Sequence, residues 1–266
     1  MKRKIVTYMV AVAMMISTLC FPVTGHGTAE GGETPVPQVA KATGVKAKSI
    51  NSKTIRLKWK KVANATGYQI YRYSHKYKKY RMIHTTKKRS YKNRKLKADT
   101  RYVYRVRAYI EQDGKTYYGP SSKAVRCRTK KSDAQKVVLK ARKKIGAAYR
   151  AGGEGPRAFD CSGFVYWVYN NADVKPKKKI KRTSSAGLYH SLKKYKVGSS
   201  YKSVKRAKAG DIVLFTRGGS YGHAAIYAGK GRIIHAANPR KGVISQSIKQ
   251  LHDSGTRVAT IVRVVD

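Results

Sequence analysis

The chain has 266 residues, of which 60 are Lys or Arg and 12 are Asp or Glu, so its formal net charge is +48. Hydrophobic residues make up 41%, Tyr occurs 20 times and Cys three times, which excludes both an intrinsically disordered polycation and a disulfide framework. The basic excess indicates a polyanionic partner, which could be nucleic acid, an anionic membrane or an anionic cell-wall polymer.

The first 29 residues have the layout of a secretory signal peptide. A basic start is followed by residues 5–23, which are uncharged and mostly apolar, and then by small and polar residues. Gly27 and Ala29 are small enough for cleavage after residue 29, although residues 5–23 could nearly span a bilayer if they stay as an anchor. We expect a secreted, extracellular or wall-associated protein that meets a membrane only if this segment is uncleaved. Export argues against nucleic acid as the partner.

Residues 30–40, which contain two prolines, are predicted to be a linker. In residues 41–130 apolar and polar side chains alternate with a period of two, and turn residues such as Asp113-Gly114 separate the runs. Short strands at this spacing predict an all-β antiparallel sandwich. Three groups of apolar residues each share a strand face: Ile55, Leu57 and Trp59; Tyr68 and Ile70; Tyr102, Tyr104, Val106 and Ala108.

This segment resembles a fibronectin type III domain. Trp59 matches the early core tryptophan, residues 67–72 match the third strand, and residues 96–109 match the corner and sixth strand, with Tyr102 at the tyrosine-corner position. The resemblance implies a spacer or binding module, because such a fold by itself implies no activity. Cys127, in the last predicted strand, is expected to be buried and unreactive.

Residues 132–266 are predicted to form an α+β domain. Ser132-Asp133-Ala134-Gln135 is a capping-box pattern, and apolar residues at helical spacing predict a helix that ends near Ala148. After a Gly-rich loop, Asp160 is a good N-cap, so Cys161 is predicted in the first turn of a buried helix. Strands are predicted at 211–216, 222–228, 232–237, 243–248 and 257–265. A helical layer followed by an antiparallel sheet is typical of this class.

Cys161 is the candidate nucleophile. A thiol attacks as the thiolate, which is stabilised by the free N–H groups and dipole of a helix N-terminus and by an adjacent imidazole. His223 and His235 are the candidate imidazoles. If residues 229–231 form a three-residue hairpin loop, positions 225 and 235 pair, and the two histidines are diagonal neighbours roughly 7–8 Å apart on one face. A two-residue loop would place them on opposite faces. Without further pattern, such residues are more often structural.

From Ile145 onward the sequence resembles the NlpC family of papain-like cell-wall cysteine peptidases. Six ordered motifs between residues 145 and 236 carry this resemblance: IGAAY with GG at 152–153, DCSGFV at 160–165, RTS at 182–184, AGDIVLF at 209–215, GHAAIYAG at 222–229 and IHA at 234–236. One departure concerns the third motif, in which the family usually has a glutamine and this chain has Ala186-Gly187. That departure leaves substrate contacts from this loop open.

The resemblance implies that Cys161 is the nucleophile, His223 the general base and acid, and His235 the residue that orients it. The N–H of Cys161 is a candidate oxyanion donor. Two readings stay open: Asp160 is equally well a plain helix cap, and Arg182 an ordinary surface arginine. The residues implied to bind substrate are Tyr149, Asp160, Ser162 and Arg182.

The implied reaction is hydrolysis of peptidoglycan stem peptides at the bond between D-γ-glutamate and a diamino acid. It needs no cofactor, and the sequence offers no zinc-ligand spacing. The expected protein is a monomer that acts on peptidoglycan, is held by anionic wall polymers through its charge, and does not bind nucleic acid. The alternative is a catalytically inactive wall- or polyanion-binding protein, for which residues 71–80 interleave Tyr with Lys and Arg.

Overall fold

The computed structural model describes residues 36–266. The predicted signal peptide and most of the predicted linker lie outside the described residues. Within residues 36–266, no helix is long and apolar enough to cross a membrane.

The predicted sandwich is confirmed, and all its strand pairs are antiparallel. One sheet has the order β1-β2-β5, and the other has the order β4-β3-β6-β7, with β8 also paired to β6. The strands are β1 (Lys46–Asn51), β2 (Thr54–Lys58), β3 (Gly67–Ser74), β4 (Lys79–Thr86), β5 (Ser90–Asn93), β6 (Arg101–Gln112), β7 (Lys115–Tyr118) and β8 (Val125–Arg128).

The sandwich core contains the residues whose alternation predicted it. Trp59 packs edge-on against Tyr68 with ring centroids 5.3 Å apart. The hydroxyl of Tyr102 accepts a hydrogen bond from the Lys97 N–H at 2.9 Å, which is the predicted tyrosine corner. Val39 is also buried in this core, so the packed domain includes the end of the predicted linker. The fully buried members are Ile55, Leu57, Ile70, Tyr104, Val106 and Ala108.

The second domain combines helices with an antiparallel sheet of order β11-β16-β12-β13-β14-β15. Its elements, together with 3-10 turns at Lys193–Tyr195 and Tyr201–Arg206, are α1 (Asp133–Arg142), β9 (Ala148–Tyr149), β10 (Ala158–Phe159), α2 (Cys161–Asn171), α3 (Ser185–Leu192), β11 (Lys196–Gly198), β12 (Ile212–Arg217), β13 (Ser220–Gly229), β14 (Arg232–Asn238), β15 (Gly242–Ser247), α4 (Ile248–Asp253) and β16 (Arg257–Val262).

Both faces of this sheet are covered. On β12, Ile212 and Leu214 pack in the larger core together with residues of α1, α2 and α3. Val213 and Phe215 point the other way, into a smaller core that contains Ile248 of α4. Because both faces are buried, the central strands have continuous rather than alternating apolar sequences.

The first helix is shorter than predicted. The capping box is present, since Ser132 Oγ accepts a hydrogen bond from the Gln135 N–H at 3.2 Å, but α1 ends at Arg142 rather than near Ala148. Beyond it the backbone is bonded to β15: the Gly146 N–H donates to Val243 O, and the Val243 N–H to Ala147 O, each at 2.8 Å. These pairings with a distant strand replace the helical hydrogen bonds.

The tyrosine corner should stabilise the sandwich. We expect Tyr102→Phe to lower the free energy of unfolding by about 1 kcal/mol, because the Lys97 N–H loses its acceptor. Urea titration followed by Trp59 fluorescence, in a Trp167→Phe background, measures this domain alone. Tyr71→Phe is the control, since within the described part of the chain its hydroxyl donates only to Gln69 Oε1 on the same strand. An equal effect of both substitutions would contradict a stabilising corner.

Candidate active site

Cys161 is the first residue of α2, as predicted. Asp160 caps the helix: its backbone is extended, and its Oδ1 accepts a hydrogen bond from the Gly163 N–H at 2.6 Å. N–H groups in a first helical turn have no helical acceptor and lie at the positive end of the helix dipole, so this end of α2 can stabilise a negative charge that forms beside it. The role of Cys161 as nucleophile remains a prediction.

A close backbone approach fixes the start of this helix. A Cβ atom built on Gly163 would lie 2.1 Å from Gly153 O, so only glycine allows the loop before the helix to lie against it. The same carbonyl accepts a hydrogen bond from the Asp160 N–H at 2.8 Å. Gly153 has its own steric reason, since a Cβ atom there would lie 2.8 Å from Arg150 O and 3.0 Å from Ala158 O.

The structure brings three of the predicted substrate-binding residues into one hydrogen-bonded cluster. The Arg182 guanidinium forms a salt bridge with Asp160 Oδ2 and donates to Ser162 Oγ at 3.0 Å. Ser162 in turn donates to Asp160 Oδ1 at 2.9 Å. Glu154, which the sequence did not single out, lies 3.4 Å from Arg182 Nε. Two carboxylates thus surround one guanidinium, which leaves a net negative charge beside Cys161.

This cluster lines an open cleft of about 770 Å³ that also contains Cys161. Tyr149, predicted to line the site, is part of the same cleft. Partial burial, and then the proximity of Cys161 and Asp160, raise the pKa of its hydroxyl. Tyr149 is therefore a neutral hydrogen-bond donor close to the sulfur.

Ser185 contacts the sulfur and was not predicted. It is the first residue of α3, it is buried, and its Oγ lies 3.5 Å from Cys161 Sγ. Its only sequence signal is its place directly after the 182–184 motif. Next along, Gly187 occupies the region where the family glutamine is absent, and a Cβ atom there would lie 1.9 Å from Thr183 Oγ1. A larger residue at position 187 would therefore require the Thr183 side chain to move.

The two histidines lie together, although the hairpin differs from the predicted one. Strands β13 and β14 are joined by the two residues 230–231, so the expected three-residue loop is wrong. A register shift between Tyr227 and Gly229 compensates, and Ile226 pairs with Ile234 as the predicted register requires. His223 Nε2 and His235 Nδ1 are consequently 2.6 Å apart. The bulge restores the shared face that a plain two-residue loop would remove.

Gln246 completes a chain of hydrogen bonds and was missed by the sequence reading. Its Oε1 lies 3.2 Å from His235 Nε2. Because an amide oxygen only accepts, His235 carries its proton on Nε2 and accepts at Nδ1. His223 then donates from Nε2, which leaves its Nδ1 unprotonated. The chain therefore sets the tautomer that a general base needs.

Burial lowers the pKa of both imidazoles. For His223 the burial effect comes first, followed by the neighbouring His235. For His235 burial also dominates, partly opposed by the hydrogen bond to Gln246, with Lys241 lowering the pKa further. Both rings are neutral near pH 7, so His223 is able to accept a proton.

Cys161 and His223 line two neighbouring cavities and are not hydrogen-bonded to each other. Gly222, next to His223, lines the cleft of Cys161, and both histidines line a second cavity of about 920 Å³. Among the hydrogen bonds of the described residues, none joins Sγ to either histidine. Such contacts are often long without substrate and tighten in the Michaelis complex.

Two family models match the chain. Residues 146–261 match the NlpC/P60 family and residues 40–125 the fibronectin type III domain. A probable endopeptidase of Corynebacterium glutamicum (strain R) is 40% identical over 107 residues, which make up 40% of this chain and 44% of that protein.

Two proteins of Bacillus subtilis are also similar. The probable peptidoglycan endopeptidase LytE is 33% identical over 107 residues, 40% of this chain and 28% of that protein. The gamma-DL-glutamyl hydrolase is 29% identical over 132 residues, 48% of this chain and 29% of that protein. The chain thus spans less than half the length of each of these three relatives.

Ser185 should stabilise the thiolate. We expect Ser185→Ala to lower the rate of Cys161 alkylation below pH 8 by about tenfold, because a hydrogen bond to the charged sulfur is lost. The measurement uses iodoacetamide in a Cys127→Ser background. Ser191→Ala, which removes a hydroxyl bonded to Leu188 O on the same helix, should leave the rate unchanged. Unchanged alkylation in Ser185→Ala would show that the hydroxyl does not support the thiolate.

Gln246 should control the acid limb of activity. Because burial lowers the pKa of both histidines, His223 becomes protonated only below the ordinary histidine pKa of about 6.5. Protonated His223 cannot act as a base, so the acid limb of kcat/KM should lie below that pH. Gln246→Glu places a carboxylate beside His235 and should raise the limb by about one pH unit or more. Asn238→Asp, on the wall of the same cavity, should shift it much less. A limb that stays in place in Gln246→Glu would contradict the hydrogen-bond chain.

Proposed function

We propose that this chain, a fibronectin type III domain followed by an NlpC/P60 domain, is a secreted cysteine peptidase that hydrolyses the stem peptides of peptidoglycan. One observation carries the proposal: Cys161 lies at a helix N-terminus in a cleft that it shares with the Asp160–Arg182 cluster and with residues of β13. That strand carries His223, the first member of the His223–His235–Gln246 chain of hydrogen bonds. Relatives named as endopeptidases, one of them a probable peptidoglycan endopeptidase, support the same assignment.

The reaction starts with proton transfer from the Cys161 thiol to Nδ1 of His223. The thiolate attacks the peptide carbonyl and forms a C–S bond, and the carbonyl oxygen becomes an oxyanion. The N–H of Cys161 and the hydroxyl of Tyr149 are the available donors to that oxygen. The proton transfer converts the His223 ring into an imidazolium. His235, which is hydrogen-bonded to Gln246, orients this imidazolium.

The proton on His223 then passes to the leaving nitrogen, the C–N bond breaks, and a thioester remains on Cys161. Neutral His223 removes a proton from water, the resulting hydroxide attacks the thioester, and the sulfur leaves as thiolate. The lowered pKa of His223 favours this second use, because the ring returns to its neutral form after each transfer.

The acidic cluster supports a substrate with a free amine. Asp160, Glu154 and Arg182 together carry one net negative charge next to the nucleophile, and an ammonium group is the complementary charge. A stem peptide freed from its glycan strand has such an amine at its first residue. Together with the name of the gamma-DL-glutamyl hydrolase relative, this supports the bond between D-γ-glutamate and the diamino acid as the one cleaved.

The proposal is tested by digesting purified peptidoglycan and, in parallel, stem peptides released from it by an amidase, and by identifying the fragments by mass spectrometry. We expect fragments with a new diamino-acid amine from the wild type, and a rate lower by on the order of 10³-fold or more for Cys161→Ala and for His223→Ala. Cys127→Ser is the control, because this cysteine lies on β8 of the sandwich and its thiol pKa is raised by burial. Indistinguishable fragments from wild type and Cys161→Ala would favour the inactive, polyanion-binding alternative.

A further inference from the structure

A row of cations on the sandwich has no counter-ions among residues 36–266. The register of the three-stranded sheet places Lys48 opposite Arg56 and Arg56 opposite Lys92, while Lys46 lies opposite Lys58. The intervening residues Ile55 and Leu57 are fully buried, so these basic side chains lie on the outer face. We call this set, Lys46, Lys48, Arg56, Lys58 and Lys92, the basic face.

Like charges directly opposite each other destabilise an antiparallel pair. Residues 41–130 contain 28 Lys or Arg but only three carboxylates. Of these, Asp99 is paired with Arg128 at 3.2 Å and Lys131 at 3.7 Å. Glu111 and Asp113 belong to the hairpin between β6 and β7 in the other sheet. Within residues 36–266 the basic face therefore has no ion-pair partner.

In the opposite sheet, basic side chains have partners within the protein. Arg105 lies over the ring of Tyr80 at 4.5 Å, and Arg107 lies over the ring of Tyr118 at 4.4 Å. Arg107 also donates from Nε to Gly119 O at 2.8 Å. These guanidinium groups have aromatic or carbonyl partners within the protein, whereas the basic face leaves its charges to solvent or to a ligand.

The geometry indicates which polyanion the basic face would bind. Neighbouring strands lie about 4.8 Å apart and the two rows about 7 Å apart along the strands, so positive charges repeat at short intervals over this face of the sheet. The outward positions of the three strands include Ser90 but no aromatic side chain. Single-stranded nucleic acid binding depends on aromatic stacking of the bases. A chain of phosphodiesters without bases needs only the charges.

We propose that the basic face binds a phosphodiester polymer of the bacterial cell wall, of the teichoic-acid type, and holds the peptidase on its insoluble substrate. The benefit to the reaction rests on the proposed function, but the binding itself does not. Occupation of the face by phosphates would remove the repulsion among Lys48, Arg56 and Lys92.

Binding is measured with the full chain carrying Cys161→Ala, so that no wall is digested. The ligands are purified walls that bear wall teichoic acid, the same walls after acid removal of that polymer, and single-stranded DNA, each over a range of salt. The test variant is Lys48→Gln/Arg56→Gln/Lys92→Gln. The matched control is Lys76→Gln/Lys79→Gln/Lys115→Gln, which removes three exposed cations from the same domain and leaves the basic face intact.

We expect the wild type to bind intact walls more tightly than stripped walls. The test variant should lower the slope of log affinity against log salt by about two on intact walls, and the control variant should change it far less. The melting temperature of the test variant should not fall, because it removes like-charge pairs.

Three results would overturn the proposal. Equal losses in both triple variants would show that the charge acts diffusely. Equal wild-type affinity for intact and stripped walls would exclude the phosphodiester polymer. Tighter binding to DNA than to intact walls, lost in the test variant, would assign the face to nucleic acid.

Catalysis is scored separately in chains that retain Cys161. The test variant should cleave a soluble stem peptide at the wild-type rate and intact walls more slowly. If the wild type cleaves neither substrate, the proposed function fails while the binding result stands.

Discussion

The carboxylate of Asp160 is the constraint on which the site depends. One oxygen caps α2 through Gly163 and accepts from Ser162, and the other holds Arg182. A single side chain thus fixes the helix that begins with Cys161 and the segment that leads into α3. Since α3 begins with Ser185, the contact to the sulfur follows from the same anchor. The open question whether Asp160 is a cap or a site residue has a physical answer: it has the hydrogen bonds of a cap and a place in the cleft wall.

Much of this arrangement follows from local sequence. Three features each involve residues only a few positions apart: the N-cap before Cys161, the alternation that defines the sandwich, and the tyrosine corner. Local sequence patterns therefore predict them. The shared face of His223 and His235 was also predictable, because register decides it. The loop that sets this register was not: the chain uses two residues and a bulge where three were expected. A three-residue loop and a two-residue loop with a bulge both pair Ile226 with Ile234. The sequence with glycines at 229 and 231 is compatible with each of these two loops.

Other features depend on partners that are distant in the chain. Residues 143–148 have helical spacing, but Gly146 and Ala147 pair with Val243 nearly a hundred positions later, and that pairing ends α1. Gln246 reaches His235 only because β15 lies beside β14. Nothing in the local sequence distinguishes Ser185 from other serines. It lies next to Cys161 because the Asp160–Arg182 contact holds the segment that leads into α3. Long-range packing decides such contacts, and local propensity has no access to them.

The basic side chains have different partners in the two domains. In the second domain, carboxylates pair with arginines in specific geometry, as where buried Asp211 accepts from Arg263 Nε at 2.9 Å and from Arg263 Nη2 at 2.8 Å. In the sandwich, cations outnumber carboxylates so strongly that arginines of one sheet lie over tyrosine rings. In the other sheet, the basic face has neither a carboxylate nor an aromatic partner among residues 36–266. Repulsion on that second sheet opposes folding, and the core must exceed it. If a polyanion neutralised the face, binding would recover this free energy, so the charge repulsion in the free protein would add to the affinity for that polyanion.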